Sequence, residues 1–297
     1  VKIRTVLGIA VPGIFLLALV LVPHGTAGST GGTPVSTIPT STSTSSTTST
    51  TTTTTTVPLH NPDNPFTSRV LAGYLRDRTN VVTAAVYDVK SGVTFTYHNG
   101  IRERTASIVK IDILADLLYE SQQHDLPLTA KQQSLAYSMI EDSNDQAASA
   151  LWAQIGGRDA IDAFNAMIGF KETIPSWSWG DIETTPLDQL QLLKVIALPN
   201  AILDTASRSY ETDLMLNVIS SERFGLGWGS PVGATVAVKD GYYPELTTGW
   251  QLNTTGFVKF HGRFYLATIM CADNPSENYG ISTLTTISSE IWKYLKP

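Results

Sequence analysis

The stretch Arg104-Thr105-Ala106-Ser107-Ile108-Val109-Lys110-Ile111-Asp112-Ile113-Leu114-Ala115-Asp116-Leu117-Leu118 sets a lysine one helical turn after a serine, inside a run that is otherwise almost wholly apolar. Residues three or four apart share one face of a helix, so the Ser107 hydroxyl and the Lys110 amine can meet. Ile108, Val109, Ile111, Ile113, Leu114, Leu117 and Leu118 cover most of the circumference, the pattern of a buried helix. Lysine is almost never fully buried unless something holds it there. Burial disfavours the ammonium and lowers its pKa, which leaves a fraction of neutral amine able to act as a base. A serine hydroxyl needs such a neighbour to become a nucleophile near neutral pH. The same residues also admit a plainer reading, in which Ser107 caps the helix and Lys110 snorkels to the surface.

Outward from this helix the chain divides into three parts. Residues 1–27 carry Lys2 and Arg4, then the uncharged apolar run Val6 to Val22, then Gly25-Thr26-Ala27, the layout of a signal peptide. The run 6–22 is nearly long enough to cross a bilayer, so a retained membrane anchor fits it too. No cysteine lies in this region, which leaves no thiol there for lipid attachment. Residues 28–61 are a Thr/Ser-rich linker, unbroken threonine from Thr50 to Thr56, with no apolar surface to offset the entropy of ordering. Residues 62–297 are the folded domain, long enough for one full core. The expected location is outside the cytoplasm, secreted or held in the cell envelope.

The formal net charge of −6 is mild and spread out, with no basic stripe, so a nucleic-acid partner is not expected. The histidines at 24, 60, 98, 124 and 261 lack metal-ligand spacing, and neither metal nor cofactor is expected. The single cysteine, Cys271, lies in an apolar strand-like run and reads as a small buried hydrophobe. A monomer is expected.

Periodicity predicts a helix over 66–78, a hairpin from strands 82–89 and 94–98, and helices over 129–140, 145–155, 157–168, 186–197 and 203–219. Thr129 and Asp145 stand at N-cap positions and Pro186 at a first helical position. Strands over 235–238, 249–260 and 263–272 and a closing helix over 280–295 complete the chain. Helix and strands at both ends with helices between predict an α+β fold, an antiparallel sheet flanked by helices plus an all-helical subdomain. A cleft between the two parts is the natural site.

Two further segments stand as companions to Ser107 and Lys110. In Ser143-Asn144-Asp145 a polar knot joins two helices, either as a capped junction or as a hydroxyl and an acceptor presented into the cleft. In Val238-Lys239-Asp240-Gly241-Tyr242 a β-branched strand ends in a cation and a glycine, where a ligand or another backbone can approach closely. Ser-x-x-Lys, then a Ser-containing knot between helices, then Lys-x-Gly on a late strand resembles the signature of the penicillin-recognising serine enzymes, class A β-lactamases and D,D-peptidases. The resemblance covers roughly 66–297 and extends to Glu183-Thr184-Thr185-Pro186, similar to the end of the family's omega loop.

The resemblance implies that Ser107 forms an acyl-enzyme, that Lys110 takes its proton and that Ser143 relays a proton to the leaving nitrogen. It implies that Lys239 holds Ser143, and that the backbone N–H groups of Ser107 and Tyr242 bind the oxyanion beside Gly241. The substrate it implies is a β-lactam or a cell-wall peptide amide. Three departures accompany it. Asp145 stands where the family has an amide, and an ionised Asp145 can pair with Lys110 and hold it charged. Asp240 stands where the family has a hydroxyl that helps bind the substrate carboxylate; pointing inward to the cleft, it would repel that carboxylate and favour a cationic group. The segment 171–183 holds Glu172, Asp181 and Glu183, none of them in the setting of the family's deacylating Glu. An efficient hydrolase, a D,D-peptidase or esterase with slow deacylation, and a degenerate peptidoglycan binder all remain open at this point.

Overall fold

The computed structural model describes residues 63–245 and 247–295; the expected signal or anchor over 1–27 and the linker over 28–61 lie outside the described residues. The described chain opens with a 3-10 turn at Pro65–Thr67 and α1 (Arg69–Arg76), where the sequence predicts one continuous helix. The break falls at Ser68, whose hydroxyl accepts from Leu71 N at 3.2 Å and starts the helix afresh. The hairpin β1 (Val81–Asp88) and β2 (Val93–Tyr97) follows as expected, then the two-residue β3 (Glu103–Arg104). Ser107 sits in a 3-10 turn, Ala106–Ile108, that runs straight into α2 (Val109–Gln123).

Next come α3 (Ala130–Ile140), α4 (Asp145–Ile155), α5 (Arg158–Ile168), the short β4 (Glu183–Thr184), α6 (Pro186–Ala197), α7 (Thr205–Leu216) and the brief α8 (Leu226–Gly229). The strands β5 (Thr235–Glu245), β6 (Gly249–Phe260) and β7 (Arg263–Asn274) and the helix α9 (Glu277–Leu295) close the fold. Thr129 caps α3 through a reciprocal capping box with Gln132.

The first and last strands share one antiparallel five-stranded sheet, in the order β2-β1-β7-β6-β5. Two apolar cores lie on its two faces. One is built by α1, α8 and α9 with Val82, Val86, Tyr265 and Ile269 of the strands. The other joins α2 to α7 with Ala85, Ala237, Phe257 and Leu266 of the opposite face. Residues Val109–Leu118 of α2 are all buried, as an apolar circumference requires, and α2 packs on α3, α4, α5 and α7 as the axis of the helical part. β5 ends the sheet, and its free side lies against the turn that carries Ser107. The sheet and the helical part therefore meet at Ser107.

A buried acid ties the short β3 to the sheet. Thr83 Oγ1 donates to Glu103 Oε1 at 2.5 Å and Gln251 Nε2 to Oε2 at 3.0 Å. Burial pushes the Glu103 pKa up to about 7 despite these two donors. A carboxyl that holds its proton more tightly folded than unfolded adds stability that is complete below about pH 4.3 and lost as pH rises towards 7. Glu103→Gln keeps the hydrogen bonds and removes the titration. Urea midpoints measured from pH 4.5 to 7.5 should fall less steeply with pH in this variant than in the wild type; equal slopes would contradict the assignment.

Candidate active site

Four segments build the cleft. The first is the turn before α2. Asn253 Nδ2 donates to Arg104 O at 2.8 Å and to Thr105 O at 2.9 Å, and Thr105 N donates to Ile182 O at 2.8 Å. These bonds clamp the backbone just ahead of Ser107. Ala106 is held at φ +45°, a conformation that a side chain disfavours, and the next residue is the half-buried Ser107. The second segment is the α3–α4 junction. Here the structure departs from the expected cap: Asn144, not Asp145, is the N-cap of α4, its Oδ1 accepting from Ala147 N at 2.8 Å. Asp145 becomes the first helical residue and its carboxylate is released for another use.

That use is Lys110. The ammonium donates to Asp145 Oδ1 at 2.7 Å, to Ser143 O at 2.6 Å and to Ser143 Oγ at 3.2 Å. Lys110 is 0% exposed, whereas the Asp145 side chain is 72% exposed at the cleft mouth. Burial lowers the Lys110 pKa, and the Asp145 carboxylate opposes that shift without cancelling it. A lysine ammonium has three donors, and all three are directed at Ser143 and Asp145. Among the described residues the Ser107 hydroxyl makes no hydrogen bond, to Lys110 or elsewhere. The helical spacing does not deliver a direct contact because Ser107 lies in the 3-10 turn and the amine is drawn to the knot.

The third segment is β5. Lys239 is also 0% exposed, and its ammonium donates to Ser143 Oγ at 2.9 Å and to Asp240 O at 3.0 Å. Burial together with the neighbouring Lys110 charge lowers the Lys239 pKa to about 8. Ser143 Oγ thus accepts from two ammonium groups, and a hydroxyl has two lone pairs, so its own O–H remains as a donor. Ser143 adopts φ +55° to bring the hydroxyl there. Gly241 lies against the Ser107 turn: a Cβ on it would stand 2.7 Å from Ser107 N and 2.9 Å from Ile108 N. Only a glycine permits that approach.

Asp240 is not part of the cleft. It is fully buried, and its Oδ2 accepts from Phe224 N at 2.6 Å. Alternation along the strand puts Lys239 and Gly241 on the cleft face and turns Asp240 away from it. The expectation that Asp240 contacts substrate, or repels a substrate carboxylate from inside the cleft, is therefore corrected. Tyr242 follows at the rim, 42% exposed.

The fourth segment is the loop between α5 and α6. Asp188 near the start of α6 accepts from Lys171 N, Glu172 N and Thr173 Oγ1 at 3.0, 2.9 and 2.8 Å, which pins the loop's first turn. Glu172 pairs with Arg102, Asp181 pairs with Arg104 at 3.3 Å, and Glu183 is exposed on β4. None of these three acids is directed at Lys110. The ring of Trp179 is: its centroid lies 5.0 Å from Lys110 Nζ, and its Nε1 donates to Ser149 Oγ at 3.2 Å. The sequence offers Trp179 either as loop packing or as lining of the cleft mouth, and its ring stands beside Lys110. The 3-10 turn Ser220–Glu222 packs against β5 next to the α3–α4 junction, where Ile219 N donates to Glu141 O at 3.1 Å, and the Glu222 charge opposes the lowering of the Lys110 and Lys239 pKa values. A lone acid in a short 3-10 turn gives no sequence signal of that proximity.

The described residues contain no group of His, Cys, Asp and Glu arranged to hold a metal ion, and no helix among them is long and apolar enough to cross a membrane.

Comparison with known proteins agrees with this fold. A family model described as "Beta-lactamase enzyme family" matches residues 127–295, which include the Ser143 knot and Lys239 and begin after Ser107 and Lys110. The TLA-1 extended-spectrum β-lactamase superposes with a TM-score of 0.70 at 17% identity, covering 76% of this chain and 96% of that one. A class A β-lactamase from Mycobacterium abscessus gives 0.64 at 18% identity, over 75% and 97%. PBP-A gives 0.64 at 19% identity, over 74% and 92%. Among curated proteins, one from Mycobacterium tuberculosis named "Putative lipoprotein LppW" is 24% identical over 196 residues, 62% of this chain. The match spans 61% of that relative's length. A family model that fits more than half of the chain, on a fold shared with solved β-lactamases, establishes that the chain belongs to the β-lactamase enzyme family.

Proposed function

We propose that the chain is an exported serine hydrolase that opens β-lactam or cell-wall peptide amide bonds through an acyl-enzyme on Ser107. The observation that carries the reading is the bridge Lys110–Ser143–Lys239 beside a turn that only Gly241 could pack against. In the neutral state Lys110 no longer holds Asp145 by charge, and its lone pair is free for the Ser107 proton. Ser107 Oγ bonds to the substrate carbonyl carbon, with the oxyanion received by the N–H groups of Ser107 and Tyr242. The proton passes from Lys110 across the 3.2 Å contact to Ser143 Oγ as the Ser143 O–H proton goes to the leaving nitrogen and the C–N bond breaks. Water then hydrolyses the ester. The charged-then-apolar pattern of 1–27 and the name borne by the LppW relatives support a cell-envelope location.

Deacylation is the weak step of this cycle. Glu172 and Asp181 are held by arginines, and the face of Lys110 towards the loop is covered by Trp179. Asp145 is the carboxylate in contact with the catalytic amine, and it opposes the neutral state that acylation needs. These contacts favour a long-lived acyl-enzyme over rapid turnover. They equally support a second reading, a cell-wall peptide binder in which Lys110 stays charged; that binder would keep its peptidoglycan affinity in Ser107→Ala.

Incubation with a fluorescent penicillin or a boronate should give an adduct on Ser107 by mass spectrometry, persisting for many minutes with the penicillin. Labelling of Ser107→Ala at the wild-type level would remove the nucleophile. Gly241→Ala forces a methyl onto the Ser107 turn and should cost about 1–3 kcal/mol of stability, with labelling reduced at temperatures where the variant is folded. Asp145→Asn removes the group that raises the Lys110 pKa. The rising limb of acylation rate against pH should therefore move to lower pH in this variant; an unmoved limb would mean that Lys110 is not the titrating base.

A further inference from the structure

Around the rim of the Ser107 cleft, acids stand where an anionic substrate group would need a cation. The charged groups that act on the Tyr242 hydroxyl are Glu222, Glu277 and Asp145. Arg104, beneath Tyr243 at 5.8 Å from its ring, is already matched by Asp181 at 3.3 Å and Glu245 at 2.9 Å. Arg223 follows Glu222 in the chain but turns inward, donating to Leu216 O at 3.1 Å and to Val236 O. Lys110 is paired with Asp145, and Lys239 is fully buried with its bonds to Ser143 Oγ and Asp240 O. Position 240 offers no hydroxyl to the cleft, because Asp240 bonds Phe224 N in the interior.

The side of the substrate that meets these acids follows from Ser143. If Ser143 protonates the leaving nitrogen, groups carried by the leaving half lie against the neighbours of Ser143. Those are Asp145, two residues on, and the β5 rim with Glu222. Asp145 keeps most of its carboxylate in solvent there, 72% exposed. An ammonium gains from this field and a carboxylate loses.

Resting on the Ser107 reading, we propose that the cleft selects acyl donors whose leaving half carries an ammonium rather than a carboxylate, with Asp145 and Glu222 as the specificity-determining residues. The chemical class is an amide or thioester of an amine-bearing leaving group, such as a diamine or a diamino acid presenting its free amine.

The test uses three thioesters with one N-acyl-D-alanyl half and leaving groups thioglycolate, thioglycolamide and thiocholine, whose quaternary ammonium cannot capture the acyl group. Acylation kcat/KM is read by thiol release and by mass of the Ser107 adduct, and each rate is divided by that thioester's own alkaline hydrolysis rate. The thiocholine ester should exceed the thioglycolate ester by about tenfold at low salt, and the ratio should shrink as salt rises. Glu222→Gln and Asp145→Asn should each bring the ratio towards one. The neutral thioglycolamide ester serves as internal reference for any loss of folded protein. A thioglycolate ester that reacts as fast as the thiocholine ester, or a ratio unmoved in both variants, overturns the inference while Ser107 labelling leaves the hydrolase reading intact. Absence of any Ser107 adduct with all three esters removes both.

Discussion

Two ammonium groups share one hydroxyl, and the rest of the site is arranged to make that tolerable. Lys110 and Lys239 are both fully buried and both donate to Ser143 Oγ. Each charge disfavours the other, and burial disfavours both. Asp145, the Ser143 carbonyl and the Asp240 carbonyl supply the compensating contacts. Because the lysines come from α2 and β5 and the hydroxyl from the α3–α4 junction, the bridge exists only when the helical part and the sheet are docked in one register. It is a chemical device and a structural fastening at once. A buried charge left without its partner is far more costly than a missing apolar contact.

The loop between α5 and α6 adds rigidity without adding a base. Asp188 collects three donors from its first turn, Arg102 and Arg104 take two of its acids, and the Thr105–Ile182 bond stitches it to the Ser107 turn. What the loop presents to the Lys110 ammonium is an aromatic face. A ring can steady a cation, but it has no lone pair with which to orient a water molecule. On the proposed reading, with Ser107 as nucleophile and Ser143 as relay, this loop would supply no base for release of the ester.

Much of this architecture is legible in the sequence. The apolar circumference of α2, the hairpin turn at Lys90-Ser91-Gly92, the capping box at Thr129 and the long terminal strands all announce themselves through periodicity and turn chemistry. Lys110, Ser143 and Lys239 do meet in space and Gly241 packs on the Ser107 turn, but the expected contact of the Ser107 hydroxyl with the Lys110 amine is not made. What sequence does not tell is orientation. Asp240 looks like a cleft residue until the strand's alternation turns it inward. Asn144 and Asp145 are equally good caps, and the choice between them depends on which one the buried lysine claims. Trp179 and Glu222 reach the site through loop paths that no local pattern encodes.

The α3–α4 junction carries a consequence for how such sites diversify. Asparagine and aspartate cap helices almost equally well, so interchanging the two neighbours at 144 and 145 would leave the cap of α4 nearly unchanged. The chemistry would not be indifferent, because an amide in place of the Lys110-bound carboxylate donates as well as accepts and carries no charge. A transposition that keeps the helix cap therefore takes from Lys110 the carboxylate that offsets its buried charge.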